Sequence, residues 1–341
     1  MKKALITGIT GQDGFYLSNL LLEKDYEVLG MYRKSVIDVH DRVPDLDPRV
    51  KLIDGDLRDS TRLVFILKEF QPDEIYNLAA QSAIPPSWEQ PELTCDVNGV
   101  GVLRLLEAIR IVNPKIRLFQ ASSREIFGTS NESPQTEETK INPLNPYAVS
   151  KAFARGIINS YIEKYGIYAS EGIAFNHESP RRGKEFVSRS ISTSVARIKN
   201  SLQEFAEFGN LDTKRDWGFS RDYVELMWLS LQQEKPDKYI IATGETHTIR
   251  EFIEEAFKFV GMPIIWEGVG LNEVGKHNGK IVIKINPKFY RPEESSRLFG
   301  DIRKAREKLG WEPKTKFKEL VQMMVKHDLE ELKGSKSLQS I

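Results

Sequence analysis

The chain of 341 residues has one cysteine, no excess of charge of either sign, and no long apolar run. A single cysteine, Cys95, excludes an intrachain disulfide and a cysteine-rich metal cluster, and we predict no metal site. The 49 basic residues balance the 49 acidic residues, so charge provides no strong attraction to nucleic acid or to an anionic membrane. No apolar run has the length of a bilayer span, and MKKALITG is too short in its apolar stretch for a signal peptide. We therefore expect a soluble cytoplasmic protein with neither nucleic acid nor membrane as a partner.

Short apolar runs alternate with helical stretches over the first half of the chain. The runs are ALITG, YEVLGMY, KLID, EIYN, RLFQASS and IYASEGIAF, and stretches such as GFYLSNLLLE and GVLRLLEAIR separate them. This alternation predicts right-handed crossovers and a parallel sheet. The fold class is therefore α/β, with a doubly wound parallel-sheet Rossmann domain and a smaller, interleaved C-terminal α/β domain.

The predicted domain boundaries follow from where this alternation weakens. Polar loops containing proline or glycine become frequent after residue 176, and IIATG at 240–244 is typical of a further strand of the first sheet. We assign residues 1–176 and about 238–262 to the first domain, and about 177–237 and 263–333 to the second. The final residues, 334–341, are predicted to be a flexible tail.

A glycine-rich turn lies between the first apolar run and the first helical stretch. Gly8, Gly11 and Gly14 are spaced G-x-x-G-x-x-G, with Gln12 and Asp13 between the last two. Glycines at this place allow backbone N–H groups and a helix N-terminus to approach a pyrophosphate. The turn, including Gln12 and Asp13, therefore predicts a dinucleotide site, and the alternative is a tight turn that needs glycine for positive φ.

The end of the second strand distinguishes the two nicotinamide cofactors. An NAD enzyme usually has a carboxylate there for the ribose 2′-hydroxyl, whereas this chain has Arg33, Lys34 and Ser35. Two cations and a hydroxyl favour the 2′-phosphate of NADP, with a solvated basic loop as the alternative. Asp56 and Leu57 follow the third strand, where an aspartate can accept from the adenine amino group or can cap the strand end.

Tyr147 and Lys151 lie four residues apart in PYAVSK. On a helix this spacing puts both side chains on one face, about 6 Å apart along the axis. Asn145 and Pro146 are typical of an N-cap and a first helical residue, which supports the helix. An ammonium can stabilise the neighbouring phenolate and make it a base near neutral pH. The pair predicts a hydride-transfer site unless it is merely exposed, and Glu125 adds an acid/base group that a simple alcohol dehydrogenase does not need.

With these motifs the chain resembles the extended short-chain dehydrogenase/reductase superfamily and, within it, the GDP-mannose 4,6-dehydratase family. The resemblance extends over nearly the whole length. It includes strings that a generic dinucleotide-binding fold does not require: ALITGITGQDG, PDEIYNLAAQS, NPYAVSK, FNHESPRRG, RDWG, RPEE and EKLGWEP.

The resemblance implies a reaction without net redox change on a GDP-sugar. NADP⁺ would take the C4 hydride of the hexose, water would leave across C5–C6, and the hydride would return to C6. By position, Tyr147 would remove the C4-hydroxyl proton, Lys151 would lower the pKa of that tyrosine, and Ser123 would hydrogen-bond the same hydroxyl. Glu125 would remove the C5 proton, which the new ketone acidifies, and assist loss of the C6 hydroxyl.

The resemblance also implies a substrate site in the second domain. Arg215 in RDWG and Arg291 in RPEE match family positions that hold the diphosphate, and Glu294 matches a carboxylate that engages the nucleoside. Ser87 matches a residue near the hexose. Asn176 follows a strand end and is predicted to bind the diphosphate or the hexose.

Among the departures from the family pattern, two lie in segments predicted to be near the sugar and the base. The stretch Ala83–Trp88 has gained Pro85 and Pro86, which fix the backbone and remove two donors, so we expect a reshaped sugar pocket. Arg124 stands between Ser123 and Glu125, where the family has a small hydroxyl residue. We expect its side chain to point outward, the alternative being a contact with a substrate oxygen or with Glu125.

These departures keep other functions open. A dehydratase of a related sugar, such as GDP-manno-heptose, is the nearest alternative, followed by a C4 epimerase or reductase on the same scaffold. A non-catalytic NADP-binding protein is the alternative from another class. The family implies a homodimer or a homotetramer, but the loop Lys34–Arg42 lacks the small polar residues with which family members reach a neighbouring subunit.

Overall fold

The computed structural model describes residues 1–130, 132–290 and 299–338 of the chain, with side chains inside the last helix described as far as residue 334. The chain divides into two compact units. The first unit consists of Met1–Phe175, Ser220–Ile241 and Asp301–Glu312; the second consists of Asn176–Phe219, Ala242–Gly300 and Pro313–Ile341.

The strands and helices follow in chain order. The strands are β1 Lys3–Thr7, β2 Glu27–Tyr32, β3 Lys51–Asp54, β4 Glu74–Asn77, β5 Arg117–Ser123, β6 Ala169–Ala174, β7 Asn176–Glu178, β8 Ala206–Phe208, β9 Lys214–Arg215, β10 Trp217–Phe219, β11 Lys238–Ile241, β12 His247–Thr248, β13 Ile265–Glu267, β14 Val274–His277 and β15 Lys280–Ile285. The α-helices are α1 Gln12–Glu23, α2 Val39–Arg42, α3 Ser60–Phe70, α4 Ile84–Glu89, α5 Pro91–Cys95, α6 Gly101–Val112, α7 Pro146–Tyr165, α8 Val187–Lys199, α9 Ser220–Ser230, α10 Ile249–Phe259, α11 Arg303–Leu309 and α12 Phe317–Leu338.

The first unit is built on a parallel sheet. In the part of the chain that the structure describes, this sheet has seven strands in the order β3–β2–β1–β4–β5–β6–β11. The order runs outward from β1 in both directions, so right-handed crossovers place helices on both faces. Leu67, Leu105 and Ile158 from α3, α6 and α7 pack with Leu5 and Ile75 of the sheet in one buried cluster. The predicted doubly wound sheet is confirmed, and the carboxyl ends of its parallel strands share one edge.

The second unit combines small sheets with three packed helices. Strands β13, β14, β15 and β8 form one sheet, β7 pairs in parallel with β10, and β9 pairs antiparallel with β12. Helices α8, α10 and α12 pack against one another. The buried Trp217 ring lies 5.3 Å from the Phe252 ring and 6.0 Å from the Phe317 ring, measured between centroids. Arg189 and Asp328 form a buried ion pair between α8 and α12.

The observed division differs from the predicted boundaries near 238 and 262. Helix α9 belongs to the first unit because it packs against α1, and Tyr223 of this helix contacts Trp311 edge to face. Helix α10 belongs to the second unit because its partners are α8 and α12. Helix α12 continues to Leu338, into the segment predicted as a tail, and residues 339–341 lie outside the described residues.

None of the helices described is both long and apolar enough to cross a membrane. The same residues contain no group of three or more histidine, cysteine, aspartate or glutamate side chains arranged to hold a metal ion.

Candidate active site

The glycine turn predicted from the sequence connects β1 to α1. Gly8 has φ +71°, and a Cβ on it would lie 2.8 Å from the Ala79 nitrogen, so only glycine fits. A Cβ on Gly14 would lie 2.7 Å from the Gly8 oxygen. Gly11 is the N-cap of α1 and has no side chain with which to cap the helix. The turn therefore presents a 12-residue helix whose N-terminus a side chain does not cover, a geometry that fits a pyrophosphate.

Asp13 in this turn is tied to another helix of the first unit. Asp13 Oδ1 accepts a hydrogen bond of 2.5 Å from Ser220 Oγ at the start of α9. Gln12 is the first residue of α1. The Asp13 carboxylate thus fixes the first turn of α1 against α9.

Cationic side chains follow β2, as predicted. Arg33 is exposed directly after the strand, and its carbonyl oxygen accepts a 3.0 Å hydrogen bond from Arg42 Nη1. Arg42 Nη2 also donates to Thr10 Oγ1 in the glycine turn, at 2.7 Å. Arg42 therefore joins the β2 end to the turn, a connection that the sequence analysis missed because the two residues are far apart in the chain.

Asp56 and Leu57 have local roles in the loop after β3. Asp56 pairs with Arg58 at 2.7 Å and accepts from the Arg58 backbone N–H at 2.9 Å, which matches the capping alternative. The hydrogen bonds from Arg58 and the nearby Arg33 charge hold the pKa of Asp56 below its usual range. The Leu57 side chain is buried in the core. Adenine contact by either residue stays a prediction.

Tyr147 and Lys151 lie on α7, whose N-terminus has the predicted cap. Asn145 Oδ1 accepts from the Ala148 backbone N–H at 2.8 Å, and Pro146 is the first helical residue. Both Tyr147 and Lys151 are buried, with exposures of 9% and 4%, so they are not an exposed pair on the surface. The Lys151 ammonium lies 5.9 Å from the Tyr147 ring centroid.

The Lys151 ammonium is also fixed from the side of the sheet. Lys151 Nζ donates a 2.8 Å hydrogen bond to the Ala121 carbonyl oxygen of β5. Burial lowers the pKa of Lys151 to about 8, and the Glu171 carboxylate on β6 opposes this shift. The side chain of Lys151 therefore begins to lose its proton at mildly alkaline pH, where an ordinary surface lysine stays fully charged.

Ser123 and Glu125 stand at the carboxyl end of β5, against which α7 packs. Ser123 is the last residue of the strand, and its Oγ accepts from the Glu125 backbone N–H at 3.3 Å, so it caps the short 3₁₀ turn Arg124–Phe127. The Glu125 side chain is 27% exposed and hence reachable from solvent. This turn and α7 bring all four predicted catalytic residues into one region of the first unit.

The expectation that Arg124 points outward is wrong. Its side chain is only 13% exposed and lies 3.6 Å from Glu125 Oε1, measured from Arg124 Nε. Arg124 Nη2 also donates to the Gly128 carbonyl oxygen at 3.4 Å. The tight 3₁₀ turn folds the arginine back along the chain, so it pairs with the predicted C5 base.

A buried carboxylate, which the sequence analysis missed, lies near Lys151 in the first unit. Glu171 pairs with Arg155 of α7 at 3.5 Å, and both side chains are 7% exposed. Arg155 Nη2 donates to the Glu137 carbonyl oxygen at 3.1 Å. The signal in the sequence was a charged residue inside the otherwise small and apolar strand ASEGIA, with an arginine one helical turn after Lys151.

The predicted substrate residues are distributed over both units. Ser87 is in the first unit, fully buried in α4, and its hydroxyl donates to the Ile84 carbonyl oxygen at 2.6 Å. Asn176 opens β7 and Arg215 closes β9, both in the second unit. Arg291 and Glu294 lie outside the described residues. Substrate contact by these five residues stays a prediction.

Helix α4 contains the altered segment Ala83–Trp88. Ala83 is its N-cap and Pro85 lies in its first turn, where a missing backbone N–H costs nothing. The helix packs against α5 and α7. The two prolines therefore start a short helix beside α7 in this unit.

Comparison with known proteins relates the chain to one family. Residues 5–324 match the family model described as GDP-mannose 4,6 dehydratase. A GDP-mannose 4,6 dehydratase of Drosophila melanogaster is 50% identical over 96% of this chain and 86% of its own length. A GDP-mannose 4,6-dehydratase of Yersinia enterocolitica is 44% identical over 98% of this chain and 95% of its own length.

Solved structures agree with the fold. The UDP-glucose 4-epimerase of Thermotoga maritima, solved with UDP-glucose, superposes with a TM-score of 0.82. The match covers 97% of this chain and 99% of the epimerase chain at 21% sequence identity. At that identity the similarity concerns the fold alone.

Proposed function

The chain belongs to the GDP-mannose 4,6-dehydratase family, and from this membership we infer that it is a hydro-lyase that removes water from GDP-mannose to give GDP-4-keto-6-deoxymannose. The observation that carries the inference is Glu125 two residues beyond Ser123, at the strand end against which the helix of Tyr147 and Lys151 packs. A redox step at C4 needs only the tyrosine and the lysine. Elimination across C5–C6 needs a further base, and Glu125 is a carboxylate at the required place in the family pattern.

NADP is the cofactor that we propose. Gly11 caps α1 without a side-chain hydrogen bond, and the close backbone packing at Gly8 and Gly14 holds the turn against the start of this helix, which supports a pyrophosphate site at the N-terminus of α1. Arg33 would meet the 2′-phosphate, while Gln12, Asp13, Asp56 and Leu57 would line the remainder of the nucleotide. When bound, the nicotinamide supplies the acceptor and later the donor of the hydride.

Tyr147 would act as the base for the C4 hydroxyl. Its phenol gives a base only when a positive charge stabilises the phenolate, and the Lys151 ammonium, held on the Ala121 carbonyl, lies on the same helix face. The Ser123 hydroxyl would orient the substrate hydroxyl. Lys151 is therefore required as a cation, and its low pKa of about 8 makes that charge sensitive to its surroundings.

Glu125 would then take the C5 proton and return a proton to the departing C6 hydroxyl. The proton at C5 becomes acidic only when the neighbouring C4 carbon is a ketone, so oxidation must precede elimination. Arg124, paired with Glu125 at 3.6 Å, would hold this carboxylate in place between the two proton transfers. Ser87, Asn176, Arg215, Arg291 and Glu294 are proposed to bind the GDP-sugar, and we expect a cytoplasmic homodimer or homotetramer.

The test is mass spectrometry of the purified protein with GDP-mannose and NADP⁺ in deuterated water. We expect a product that has lost one water and carries one solvent deuteron at C5. Glu125→Gln should retain nucleotide binding and lose this product, because an amide cannot accept the C5 proton. Glu132→Gln, a change of the same kind at an exposed position, is the matched control.

Other products would assign a different function. A product that retains its C6 oxygen would replace the dehydratase with a C4 epimerase or reductase. If GDP-mannose is unchanged and GDP-manno-heptose is converted, the substrate is the larger sugar. The altered segment Ala83–Trp88 is the specific reason to test this sugar. Tight NADPH binding without turnover of any nucleotide sugar would indicate a non-catalytic protein.

A further inference from the structure

A buried group of charges lies in the first unit, on the side of α7 that faces the sheet. Lys151 and Arg155 are four residues apart on α7, so their side chains lie on one helix face. Both are buried, and both reach toward the adjacent strands β5 and β6. The carboxylate within this group belongs to Glu171 of β6.

The sheet register places Glu171 next to the anchor of Lys151. Ala121, whose carbonyl oxygen accepts from Lys151 Nζ, is paired with Gly172, the neighbour of Glu171. Arg155 Nε lies 3.5 Å from Glu171 Oε2 on the adjacent helical turn. Glu171 Oε1 has no hydrogen-bond partner among the described residues. The carboxylate is thus stabilised by neighbouring cations and only weakly by hydrogen-bond donors.

We propose that Glu171 is a positioning residue for the reaction: its carboxylate supplies the counter-charge that keeps the buried Lys151 ammonium protonated behind Tyr147. A lysine with 4% exposure loses most of its hydration, and without a nearby anion it would give up its proton. Glu171 touches neither the reacting hydroxyl nor the sugar in this scheme. It acts through Lys151, so the inference rests on the catalytic role proposed for Tyr147 and Lys151.

The other charges around the pair support this assignment. Arg155 of α7 and Lys238 of β11 also face Glu171, and the Ser122 hydroxyl of β5 lies against it. Burial raises the pKa of Glu171, and these groups together with Lys151 oppose the rise. Lys238 is also paired with the exposed Glu138 at 2.8 Å. The Lys151 ammonium lies 5.9 Å from the Tyr147 ring centroid, and the Glu171 charge raises the pKa of this ammonium against the effect of burial.

The first measurement is the titration of Lys151 itself, which does not depend on turnover. Lysine labelled with ¹³C at Cε gives an NMR signal that moves when the amine loses its proton, and Lys151→Arg identifies the signal. We expect a midpoint of about 8 in the unchanged protein. In Glu171→Gln the midpoint should fall by roughly one pH unit, because an opposite charge has been removed from a buried site. An unchanged midpoint would overturn the proposal.

The matched control is Glu137→Gln. Glu137 is a carboxylate of the same unit with 7% exposure, and its Oε1 accepts from the Ile240 backbone N–H at 2.9 Å. A glutamine oxygen can accept the same hydrogen bond, so the fold is retained. The Lys151 midpoint should not move in this variant. An equal shift in both variants would mean that a general loosening of the core, and not the charge of Glu171, determines the titration midpoint of Lys151.

Glu171→Gln leaves Arg155 buried without its anion, and this unpaired charge can destabilise the fold. A second variant therefore removes the arginine as well. The double variant Glu171→Gln, Arg155→Gln removes both members of the ion pair. Removal of the Arg155 cation can itself raise the Lys151 midpoint, so the reference for the double variant is Arg155→Gln alone. If Glu171 acts on Lys151, the midpoint of the double variant lies below that of Arg155→Gln. If the two midpoints are equal, Glu171 serves only Arg155, and the proposal is wrong.

The dependence of kcat on pH then connects the charge to the reaction. With Glu171→Gln the alkaline limb should move down with the Lys151 midpoint, and the acid limb should move up because the phenolate loses support. For a shift of about one pH unit, the rate at pH 8 should fall roughly fivefold beyond any loss at the optimum. If the limbs of the kcat profile stay fixed while the Lys151 midpoint moves, Glu171 has no role in catalysis. Absence of turnover in the unchanged protein would instead refute the proposed function. The titration would still test whether Glu171 keeps Lys151 protonated.

Discussion

A buried carboxylate of the first unit and a buried carboxylate of the second unit are held in different ways. Glu171 of the first unit lies among cations, with Arg155 at 3.5 Å and one oxygen that no donor reaches among the described residues. Asp216 of the second unit is surrounded by neutral donors. Its Oδ1 accepts from the Thr243 backbone N–H at 2.8 Å and from Thr243 Oγ1 at 2.7 Å. Its Oδ2 accepts from the backbone N–H groups of Gly244 at 3.1 Å and Gly300 at 3.3 Å.

The two environments suit different roles. The charge of Glu171 supports a reaction, whereas Asp216 holds loops in place. A carboxylate held by cations projects its charge onto a neighbour, and here the neighbour is Lys151. A carboxylate held by four short-range donors satisfies main-chain groups and fixes their positions. Asp216 therefore joins β9–β10, the loop after β11 and the segment at Gly300 within the second unit. Changes in the first region should alter the chemistry, and changes around Asp216 should alter stability.

The largest effect is expected from Tyr147→Phe. Phenylalanine keeps the ring against Lys151 but has no hydroxyl to serve as a base, so kcat should fall by about a thousandfold. Steady-state turnover of GDP-mannose measures the loss, and the melting temperature should change little. The control is Tyr165→Phe, the same change at an exposed position of the same helix, which should retain full turnover. Equal losses of turnover in Tyr147→Phe and Tyr165→Phe would mean that the region around Lys151 does not act specifically on the chemistry.

Asp216→Ala should give the largest loss of stability. Four donors would lose their acceptor in a buried site, which should cost about 3 kcal/mol or more in the free energy of unfolding measured with denaturant. Asp212→Ala is the control, since this exposed aspartate, which pairs with Arg250, should contribute less than about 1 kcal/mol. A stable Asp216→Ala protein would show that the donors find water instead.

Asp216 also predicts a pH dependence of stability. Burial raises the pKa of Asp216 to about 6, above the 3.8 that is usual for an aspartate, although the four hydrogen bonds favour the ionised form. The folded state therefore binds more protons than the unfolded state between these two values. Its contribution to stability is greatest below pH 3.8, falls as the pH rises to about 6, and is then constant; the change is about 3 kcal/mol. Subtracting the unfolding curve of Asp216→Asn isolates it, and identical pH slopes would contradict the assignment.

The smallest effect is expected from Thr243→Val. The substitution removes one of the two donors to Asp216 Oδ1 and keeps the backbone N–H, so unfolding should become easier by about 1 kcal/mol. Thr243→Ser keeps the hydroxyl and should restore most of the loss. Thermal unfolding at neutral pH measures both variants. A loss larger than that of Asp216→Ala would mean that Thr243 has packing contacts more important than its hydrogen bond.

Much of the first unit could be predicted because its signals are local. The cap at Asn145, the first-turn proline and the spacing of Tyr147 and Lys151 all lie within seven residues, and helix α7 begins where they predict. The seven parallel strands of the described part of the chain were also recognisable, since each coincides with a short apolar run in the sequence. The boundaries of the units were less accurate because α9 and α10 are both amphipathic, and only their packing partners assign them.

The direction of Arg124 shows where local reasoning failed. A residue after a strand end can point outward or back along the chain, and the choice depends on whether the next turn is α-helical, 3₁₀ or extended. Here the 3₁₀ turn Arg124–Phe127, capped by Ser123, brings the guanidinium beside Glu125. Neither residue type nor spacing specifies that turn.

The sequence by itself determined the glycine turn, the tyrosine–lysine helix, the carboxylate after β5 and the family, because glycine conformation, helix periodicity and motif strings depend on neighbours in the chain. Only the tertiary structure decided which charges face a buried group. Glu171 meets Lys151 because β6 lies beside β5 under α7, and Asp216 meets the backbone at Gly300 because distant loops converge. A buried charge responds strongly to groups a few ångströms away, and the distance between them in space is fixed by the fold and not by their separation in sequence.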